Sequence, residues 1–296
     1  MRLRTLAVGL MVGALALTGC GREGSPTGGE ETGLTYPVAT NVSVPDSATL
    51  AAAQQRGRVV IGVKNDQPGL GQVDPTTNTY SGFDIEIARM VAAGLGFGPD
   101  QIDYKVVQSA AREDAISRGD VDYYVGTYTI NDNRKQRVGF AGPYFIAGQG
   151  LLVRADETAI TGKDTLQGKK VCSVTGSTPI QRVREQNLTQ PENIVEFQTY
   201  TQCVDQLVQG QVDAVTTDDA ILKGYASQRP DELKVVGETF SVEPYGIGVP
   251  LADTAFRAKV NDLLQAAIDD GTWQKIYDGT LGKSGSPASP PPIDRY

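Results

Sequence analysis

Histidine is absent from this chain of 296 residues, and cysteine, with three residues, and tryptophan, with one, are scarce. Without histidine the chain has no Ser-His-Asp or Cys-His catalytic group and no histidine-ligated metal site. The side chain whose ordinary pKa lies nearest neutrality is also missing, so no acid-base group for catalysis is obvious. Apart from residues 6–17, long apolar runs are lacking too. What remains, 40% hydrophobic and 21% charged residues, is typical of a globular protein long enough for two lobes. We predict no enzyme, no cofactor and no metal.

The first nineteen residues have the pattern of a secretory signal peptide. Arg2 and Arg4 precede the apolar run, which is too short to span a bilayer permanently. The run ends in Leu17-Thr18-Gly19-Cys20, which resembles a bacterial lipobox. That resemblance implies cleavage before Cys20, lipidation of its thiol and anchoring to the outer face of the cell membrane. An ordinary signal peptide followed by a chance cysteine is the alternative.

The charge balance bears on possible partners. The formal net charge is −8, and removal of residues 1–19 would take away two arginines and no acidic residue. The exported chain would therefore be still more acidic, and an acidic surface repels a polyanion. We predict no nucleic-acid partner.

The other two cysteines predict a disulfide. Once Cys20 is assigned to lipid, Cys172 and Cys203 form an even pair in an exported protein. A bridge closing a loop of about 30 residues would stabilise the fold by roughly 3 to 4 kcal/mol. Two buried free thiols are the alternative, and two thiols are too few for a cysteine-only zinc site.

Both ends of the chain are predicted to lie outside the folded body. Residues 20–48 are rich in Gly, Ser, Thr, Pro and Glu, which favours a flexible tether from the lipid anchor. Residues 284–296 contain a proline cluster and predict a disordered, extended tail.

Between these ends, β-branched runs alternate with helical patterns, which predicts an α/β fold. A weak repeat suggests that the fold is doubled: Gly57–Pro68 and Gly168–Pro179 share the pattern G-[RK]-x-V-x-[GS]-V-x-x-x-x-P. In each half a helix end and a glycine then precede a strand that begins Val-Asp, at Val121 and Val212. Two similar lobes are implied, although any two α/β units share some of these features.

The repeat also places a ligand site. Ligands of open α/β sheets bind beyond the carboxyl ends of the strands. We predict a first lobe of residues 49–147 plus 246–283 and a second lobe of residues 148–245, with the strand ends of both facing one cleft. Two connections would then cross between the lobes.

Several segments together resemble a known family. The runs V-I-G-V-K, S-G-F-D-I-E-I-A, T-I-N-D-N-R-K, G-K-K-V-C-S-V-T-G-S-T-P and P-Y-G-I-G-V-P are similar to those of polar amino-acid binding lipoproteins of bacterial ABC importers, solute-binding protein family 3. K-N-D-Q-P-G-L-G resembles the glutamate-binding members of actinobacteria. The resemblance covers about residues 55–282. It implies a type II periplasmic-binding-protein fold, in which two Rossmann-like lobes joined by a two-strand hinge close on a ligand. It also implies delivery to an ABC permease in the membrane, and we expect a monomer.

The resemblance assigns four residues to the part of the ligand that all amino acids share. Arg134 matches the arginine that binds the α-carboxylate, and its planar fork suits that group. Thr129 would meet the same carboxylate with its amide and hydroxyl, and the Thr127 carbonyl would accept from the ammonium. Asp218, from the second lobe, would hold the ammonium. Without the family, an N-cap for the following helix would be the better interpretation of Asp218.

Four further residues are predicted to shape the rest of the site. Thr178 would offer backbone N–H groups at a helix N-terminus. Phe83 would form an aromatic wall, or alternatively a hydrophobic staple for its helix. Lys64 lies where glutamine-binding relatives have an acid, which favours glutamate as the ligand, with aspartate next. Arg112 would reach the side-chain carboxylate of that ligand, or alternatively would be a solvated residue at the start of a helix.

Two other functions use the same fold. The chain could present its ligand to a membrane receptor as a sensor, and the sequence does not separate this from transport. It could also be a dehydratase, but the missing histidine and the lone carboxylates in the predicted cleft argue against that.

Overall fold

The structure is a computed structural model that describes residues 32–284 and 286–296. The predicted signal peptide, residues 1–19, and the predicted lipidation site, Cys20, lie outside these residues. Within the described part of the chain, no helix combines the length and the apolarity needed to cross a membrane.

Strands and helices alternate along the described chain, as the sequence pattern predicts. The strands are β1 Val59–Val63, β2 Asp66–Gln67, β3 Gly71–Val73, β4 Tyr80–Ser81, β5 Ile102–Val106, β6 Tyr123–Tyr124, β7 Val138–Ala147, β8 Gln149–Arg154, β9 Val171–Val174, β10 Ile194–Phe197, β11 Ala214–Asp218, β12 Leu233–Val236 and β13 Glu243–Pro250. The helices are α1 Ala48–Arg56, α2 Phe83–Gly94, α3 Arg112–Ser117, α4 Asp132–Lys135, α5 Thr178–Glu185, α6 Tyr200–Val208, α7 Asp219–Gln228, α8 Thr254–Asp269 and α9 Thr272–Gly279.

Two five-stranded sheets form the framework. Their strand orders are β5-β1-β6-β13-β7 and β10-β9-β11-β8-β12. We call the part built on the first sheet the first lobe and the part built on the second sheet the second lobe. Strands β1 and β9, which carry the sequence repeat, occupy the same place in their sheets, and so do β6 and β11. The predicted doubling of one α/β unit is therefore confirmed by the strand order.

The lobes are joined through β7 and β13, which pair antiparallel in the first sheet. Strand β7 ends at Ala147, and β8 begins at Gln149 in the second sheet. On the return, β13 begins at Glu243 and pairs with β7 from that residue onward. Strand β13 therefore begins three residues before residue 246, where the predicted return to the first lobe starts, because Glu243 and Pro244 carry no strand pattern.

Helix α2 shows how the first lobe is packed. Residues Phe83 to Ala93 are almost all buried, and the helix lies against β1, α8 and α9. The apolar stripe over residues 254–269 predicts a helix, and α8 has that range. Asp253 caps α8 by accepting from the Phe256 amide at 2.9 Å. Apolar residues every three or four positions explain both helices.

The described end of the predicted tether is packed on the first lobe. The hydroxyls of Thr32 and Tyr36 donate to Glu86 of α2 at 2.9 and 2.8 Å, and the Ala39 amide donates to the Ala93 carbonyl at 2.9 Å. The prediction of a flexible tether is wrong for residues 32–47. The apolar and aromatic side chains of this segment pack against the core of the first lobe, although they follow no periodic pattern in the sequence.

The proline-rich tail is extended but not disordered. The Phe140 amide donates to the Tyr296 hydroxyl at 2.9 Å, and the Asp294 amide donates to the Gly142 carbonyl at 2.8 Å. The Tyr296 ring lies between the cationic groups of Lys135 and Arg257, 4.0 and 4.2 Å from its centroid. The prediction of an unpacked tail is wrong because its last residues pair with side chains far away in sequence.

The predicted disulfide is confirmed. Cys172 of β9 and Cys203 of α6 are bonded, with their Cα atoms 5.6 Å apart. Both are buried, so the bridge fastens α6 to the second sheet from inside.

Candidate ligand-binding cleft

Loops at the strand ends of both lobes meet in one place. Arg134 of the first lobe donates from Nη2 to the carbonyl of Gly176, which follows β9, at 3.2 Å. The hydroxyls of Thr129 and Thr178 lie 3.4 Å apart across the same boundary. These contacts show that the two lobes are closed on each other around the cleft that the repeat predicts.

Arg134 is held rigidly at the centre of this region. Asn131 caps the short helix α4 by accepting from the Arg134 amide at 2.9 Å. The buried guanidinium donates from Nη1 to the Thr129 carbonyl at 2.7 Å, and Nε lies 3.4 Å from Glu113 Oε1. Burial and the charge of Arg112 lower the pKa of Arg134 to about 10, which leaves it charged at neutral pH. The guanidinium carries five N–H donors, and the three contacts with Thr129, Gly176 and Glu113 do not use all of them, so the remaining donors can still bind an anion.

Two more cations lie buried beside it. Lys64, at the end of β1, donates from Nζ to the Ser109 hydroxyl at 3.0 Å. Arg112 is only 2% exposed, and its guanidinium lies 4.2 Å from the centroid of the Tyr128 ring. It donates to the carbonyls of Ser109 and Thr127 at 3.1 and 3.3 Å. The alternative of a solvated helix start for Arg112 is therefore wrong.

Neither Lys64 nor Arg112 forms an ion pair among residues 32–284 and 286–296. Burial, followed by the positive charges of Arg112 and Arg134, lowers the pKa of Lys64 to about 7. A buried ammonium without a carboxylate partner is costly, so a negatively charged ligand group would be stabilised strongly here.

Asp218 supplies the negative charge from the second lobe. It ends β11 and stands at the N-cap of α7, but its side chain makes no capping hydrogen bond. Instead, Oδ2 accepts from the Tyr245 hydroxyl at 2.7 Å, and Oδ1 is buried with no partner in the described chain. The alternative interpretation, that the Asp218 side chain caps α7, is therefore wrong. Burial, and then the charge of Glu243, raise the pKa of Asp218 to about 7.

The three predicted threonines surround these charges. Thr127 has a φ of 43°, and its amide donates to Asp84 at 2.9 Å. Its carbonyl, predicted to face an ammonium, already accepts from Arg112 and has one lone pair left. Thr178 is the first residue of α5, and its hydroxyl donates to Glu243 at 2.9 Å.

Phe83 is not part of the cleft. It is 0% exposed, and its ring packs edge-on against Trp273 and Tyr277, with centroids 5.8 and 6.1 Å away. Its other ring contacts, Tyr144 and Phe145, also belong to the first lobe. The prediction of an aromatic ligand wall is wrong. The staple alternative fails too, because Phe83 is the first helical residue rather than the one before the cap.

Sequence reasoning missed several residues that hold the site together. They share burial, and none of them was assigned a role at the site. They are Gln67, Ser109, Tyr128, Glu243 and Tyr245. Two of them carried a signal, since Gln67 lies in the K-N-D-Q-P-G-L-G segment and Tyr245 in the P-Y-G-I-G-V-P segment.

The expectation of no acid-base group near neutrality also needs correction. Lys64 and Asp218 both reach pKa values of about 7, one from above and one from below, because burial disfavours the charged form of each. Within the described ranges, no group of acidic or cysteine side chains has the arrangement to hold a metal ion.

Comparison with known proteins agrees with this geometry. Residues 59–283 match the family described as bacterial extracellular solute-binding proteins, family 3. The chain belongs to that family, and the predicted type II periplasmic-binding-protein fold is confirmed. An ancestral arginine-binding protein bound to arginine has a similar structure, with a TM-score of 0.70 and 34% identity over 75% of this chain and 97% of that one.

Two curated relatives bind different ligands. Glutamate-binding protein GluB of Corynebacterium efficiens is 41% identical over 244 residues, which cover 79% of this chain and 82% of that protein. The glutamine-binding protein of Geobacillus stearothermophilus is 38% identical over 245 residues, which cover 82% of this chain and 90% of that protein. Both are amino-acid-binding proteins rather than enzymes, and their names divide between glutamate and glutamine.

Proposed function

We propose that this chain captures an acidic amino acid outside the cytoplasm and delivers it to an ABC permease. Glutamate is the first candidate and aspartate the second. The observation that carries the proposal is the pair of buried cations, Lys64 and Arg112, which have no carboxylate partner among the described residues.

The common part of an amino acid fits one end of the cleft. The remaining N–H groups of Arg134 would donate to the α-carboxylate, together with Thr129 and the amides at the start of α5 near Thr178. The unpartnered Oδ1 of Asp218 would accept from the ammonium, and the free lone pair of the Thr127 carbonyl would help. Because these groups come from both lobes, ligand binding and lobe closure support each other.

The side chain would decide which amino acid binds. A side-chain carboxylate would meet Lys64 and Arg112 near the Ser109 hydroxyl, and the protonated form of Lys64 would be restored. An uncharged amide in that place would leave the cations without compensation. This argument favours glutamate over glutamine, and aspartate, which also carries a side-chain carboxylate, is the second candidate.

The cellular setting follows the same proposal. Residues 1–19 would direct export, and a lipid on Cys20 would hold the chain at the outer face of the cell membrane. The folded monomer would begin with the packed segment 32–47, which leaves residues 21–31 as the candidate tether.

A calorimetric panel of the common amino acids tests the ligand. The protein would be the exported chain with Cys20→Ala, which avoids the lipid but keeps all described residues. We expect the tightest binding for glutamate, weaker binding for aspartate, and glutamine at least about tenfold weaker than glutamate. Glutamine binding as tightly as glutamate, or no binding of either acid, would contradict the proposal.

A further inference from the structure

A second set of contacts joins the lobes outside the ligand cleft. It connects β2 and the turn after it in the first lobe with helices α6 and α7 in the second. Asp66 Oδ2 accepts from the backbone amides of Tyr200 and Thr201, at 2.9 and 3.4 Å. The Tyr225 hydroxyl donates to the Asp66 carbonyl and lies 2.9 Å from the Thr201 hydroxyl.

Asp66 completes the N-terminal cap of a helix in the other lobe. Thr199 is the N-cap residue of α6, and its side-chain oxygen accepts from only one backbone amide of the helix, that of Gln202, at 3.3 Å. The amides of Tyr200 and Thr201 precede it in the first turn, where helix N–H groups have no partner inside the helix. A carboxylate at this end is also favoured by the helix dipole. These two amides therefore gain their acceptor from the first lobe only when the lobes are closed.

The backbones also approach closely at this place. Gly224 lies inside α7, and a Cβ atom built on it would come 2.4 Å from the Pro68 carbonyl oxygen of the first lobe. Glycine is less favourable than alanine inside a helix, so the stability of α7 alone gives no reason for a glycine at position 224. The close approach to Pro68 does give a reason, and it exists only in the closed arrangement.

We propose that Asp66, Gly224 and Tyr225 form a latch that sets the balance between the open and closed lobes. They are positioning residues, because none of them belongs to the proposed ligand site. A latch that favours closure raises the fraction of molecules ready to hold a ligand, and apparent affinity scales with that fraction. It therefore changes the affinity for every ligand by the same factor, whereas Lys64 and Arg112 discriminate between ligands.

Two variants avoid the charge of Asp66, which lies close enough to influence Lys64. Tyr225→Phe removes only the hydroxyl, and Gly224→Ala adds only the methyl group that meets Pro68. Gly162→Ala is the matched control in the second lobe, since a Cβ there would meet nothing within 4 Å. Each variant would be titrated with L-glutamate and with L-glutamine, and its melting temperature measured without ligand.

We expect Tyr225→Phe to weaken binding of both amino acids by about threefold to tenfold, the usual effect of one lost hydrogen bond. Gly224→Ala should weaken both by at least about tenfold, since the added methyl group overlaps a carbonyl. It should nevertheless melt no lower than the wild type without ligand, because alanine suits the helix better. Gly162→Ala should bind as the wild type does.

The outcomes separate the latch from the ligand assignment. Unchanged affinities in both variants would overturn the latch, and so would a loss for one amino acid but not the other. A lower melting temperature for ligand-free Gly224→Ala would also overturn it, since that result indicates ordinary structural damage. If the wild type bound no glutamate, the proposed ligand would be wrong. The amino acid selected by the panel would then replace glutamate, and the latch predicts the same loss for it.

Discussion

The Tyr245 hydroxyl donates to Asp218 Oδ2 at 2.7 Å, which joins the acid of the second lobe to the hinge strand β13. Tyr245 is completely buried and pairs with Phe145 of β7, the other crossing strand. The one acidic group proposed to hold the ammonium is therefore oriented by the element about which the lobes move. Rotation at the hinge would displace Asp218 relative to this partner.

Exchange of Lys64 for an acid should reverse the charge preference of the site. Lys64→Asp places a carboxylate where the side-chain carboxylate of glutamate would lie, so glutamate binding should weaken by roughly 1 to 3 kcal/mol. Glutamine binding should weaken less or improve, because its amide can donate to the new acid. Lys105→Asp makes the same charge change at an exposed position of the first lobe. Calorimetry that showed unchanged glutamate affinity for Lys64→Asp would remove the basis of the ligand assignment.

Asp218→Asn should weaken all ligands but stabilise the free protein. Loss of the charged acceptor should cost about 1.5 to 3 kcal/mol of binding, for glutamate and glutamine alike. The folded pKa of Asp218 is raised from 3.8 to about 7, so ionisation penalises folding progressively between these pH values and fully above pH 7.

The variant should therefore gain stability at pH 8, by at most about 4 kcal/mol, and gain little at pH 4. Urea unfolding at both pH values measures this difference. A gain that is equal at pH 4 and pH 8 would show that Asp218 is not the buried titrating group.

Proton exchange on binding should distinguish the two candidate ligands. At pH 7, Lys64 and Asp218 are each about half protonated in the free protein. An ammonium beside Asp218 should release about half a proton, and a carboxylate beside Lys64 should take up about half a proton. Glutamate binding should therefore exchange almost no net protons, whereas glutamine should release about half of one. Calorimetry in buffers of different ionisation enthalpy gives these numbers, and proton release by both ligands would argue against contact with Lys64.

Phe83→Leu should affect stability and leave binding alone. The ring lies in an aromatic cluster with Trp273 and Tyr277, so the smaller side chain should lower the free energy of unfolding by roughly 1 to 3 kcal/mol. Glutamate affinity should remain within a factor of two or so of the wild type, because no ring contact reaches the cleft. A loss of glutamate affinity with an unchanged free energy of unfolding would show that Phe83 does contribute to the ligand site.

Elements with strong local patterns were predictable from the sequence. The β-branched run over residues 59–63 predicts a strand and the apolar stripe over residues 254–269 predicts a helix, and the structure has β1 and α8 over those residues. The small sheet β2-β3-β4 was missed, since strands of two or three residues carry too short a pattern.

The site itself was only partly predictable. Motifs located Lys64, which directly follows β1, Arg134, which lies in α4, and Asp218, which ends β11. The direction of the Phe83 side chain was not apparent from its motif, because the aromatic residues that its ring packs against lie in β7 and α9, far away in sequence. Partners such as Tyr245 and the two pKa values near 7 depend on burial among residues distant in sequence, which no local pattern reports.

Residues 32–47 and 286–296 both pack on the first lobe, and this arrangement has a practical consequence for biosensor design. A fluorophore attached at either of these segments would travel with the first lobe and would be insensitive to lobe rotation. A pair of fluorophores that reports amino-acid concentration would need one member in the second lobe. Gly162 of the second lobe, where an added Cβ atom would meet nothing within 4 Å, is a suitable place for it.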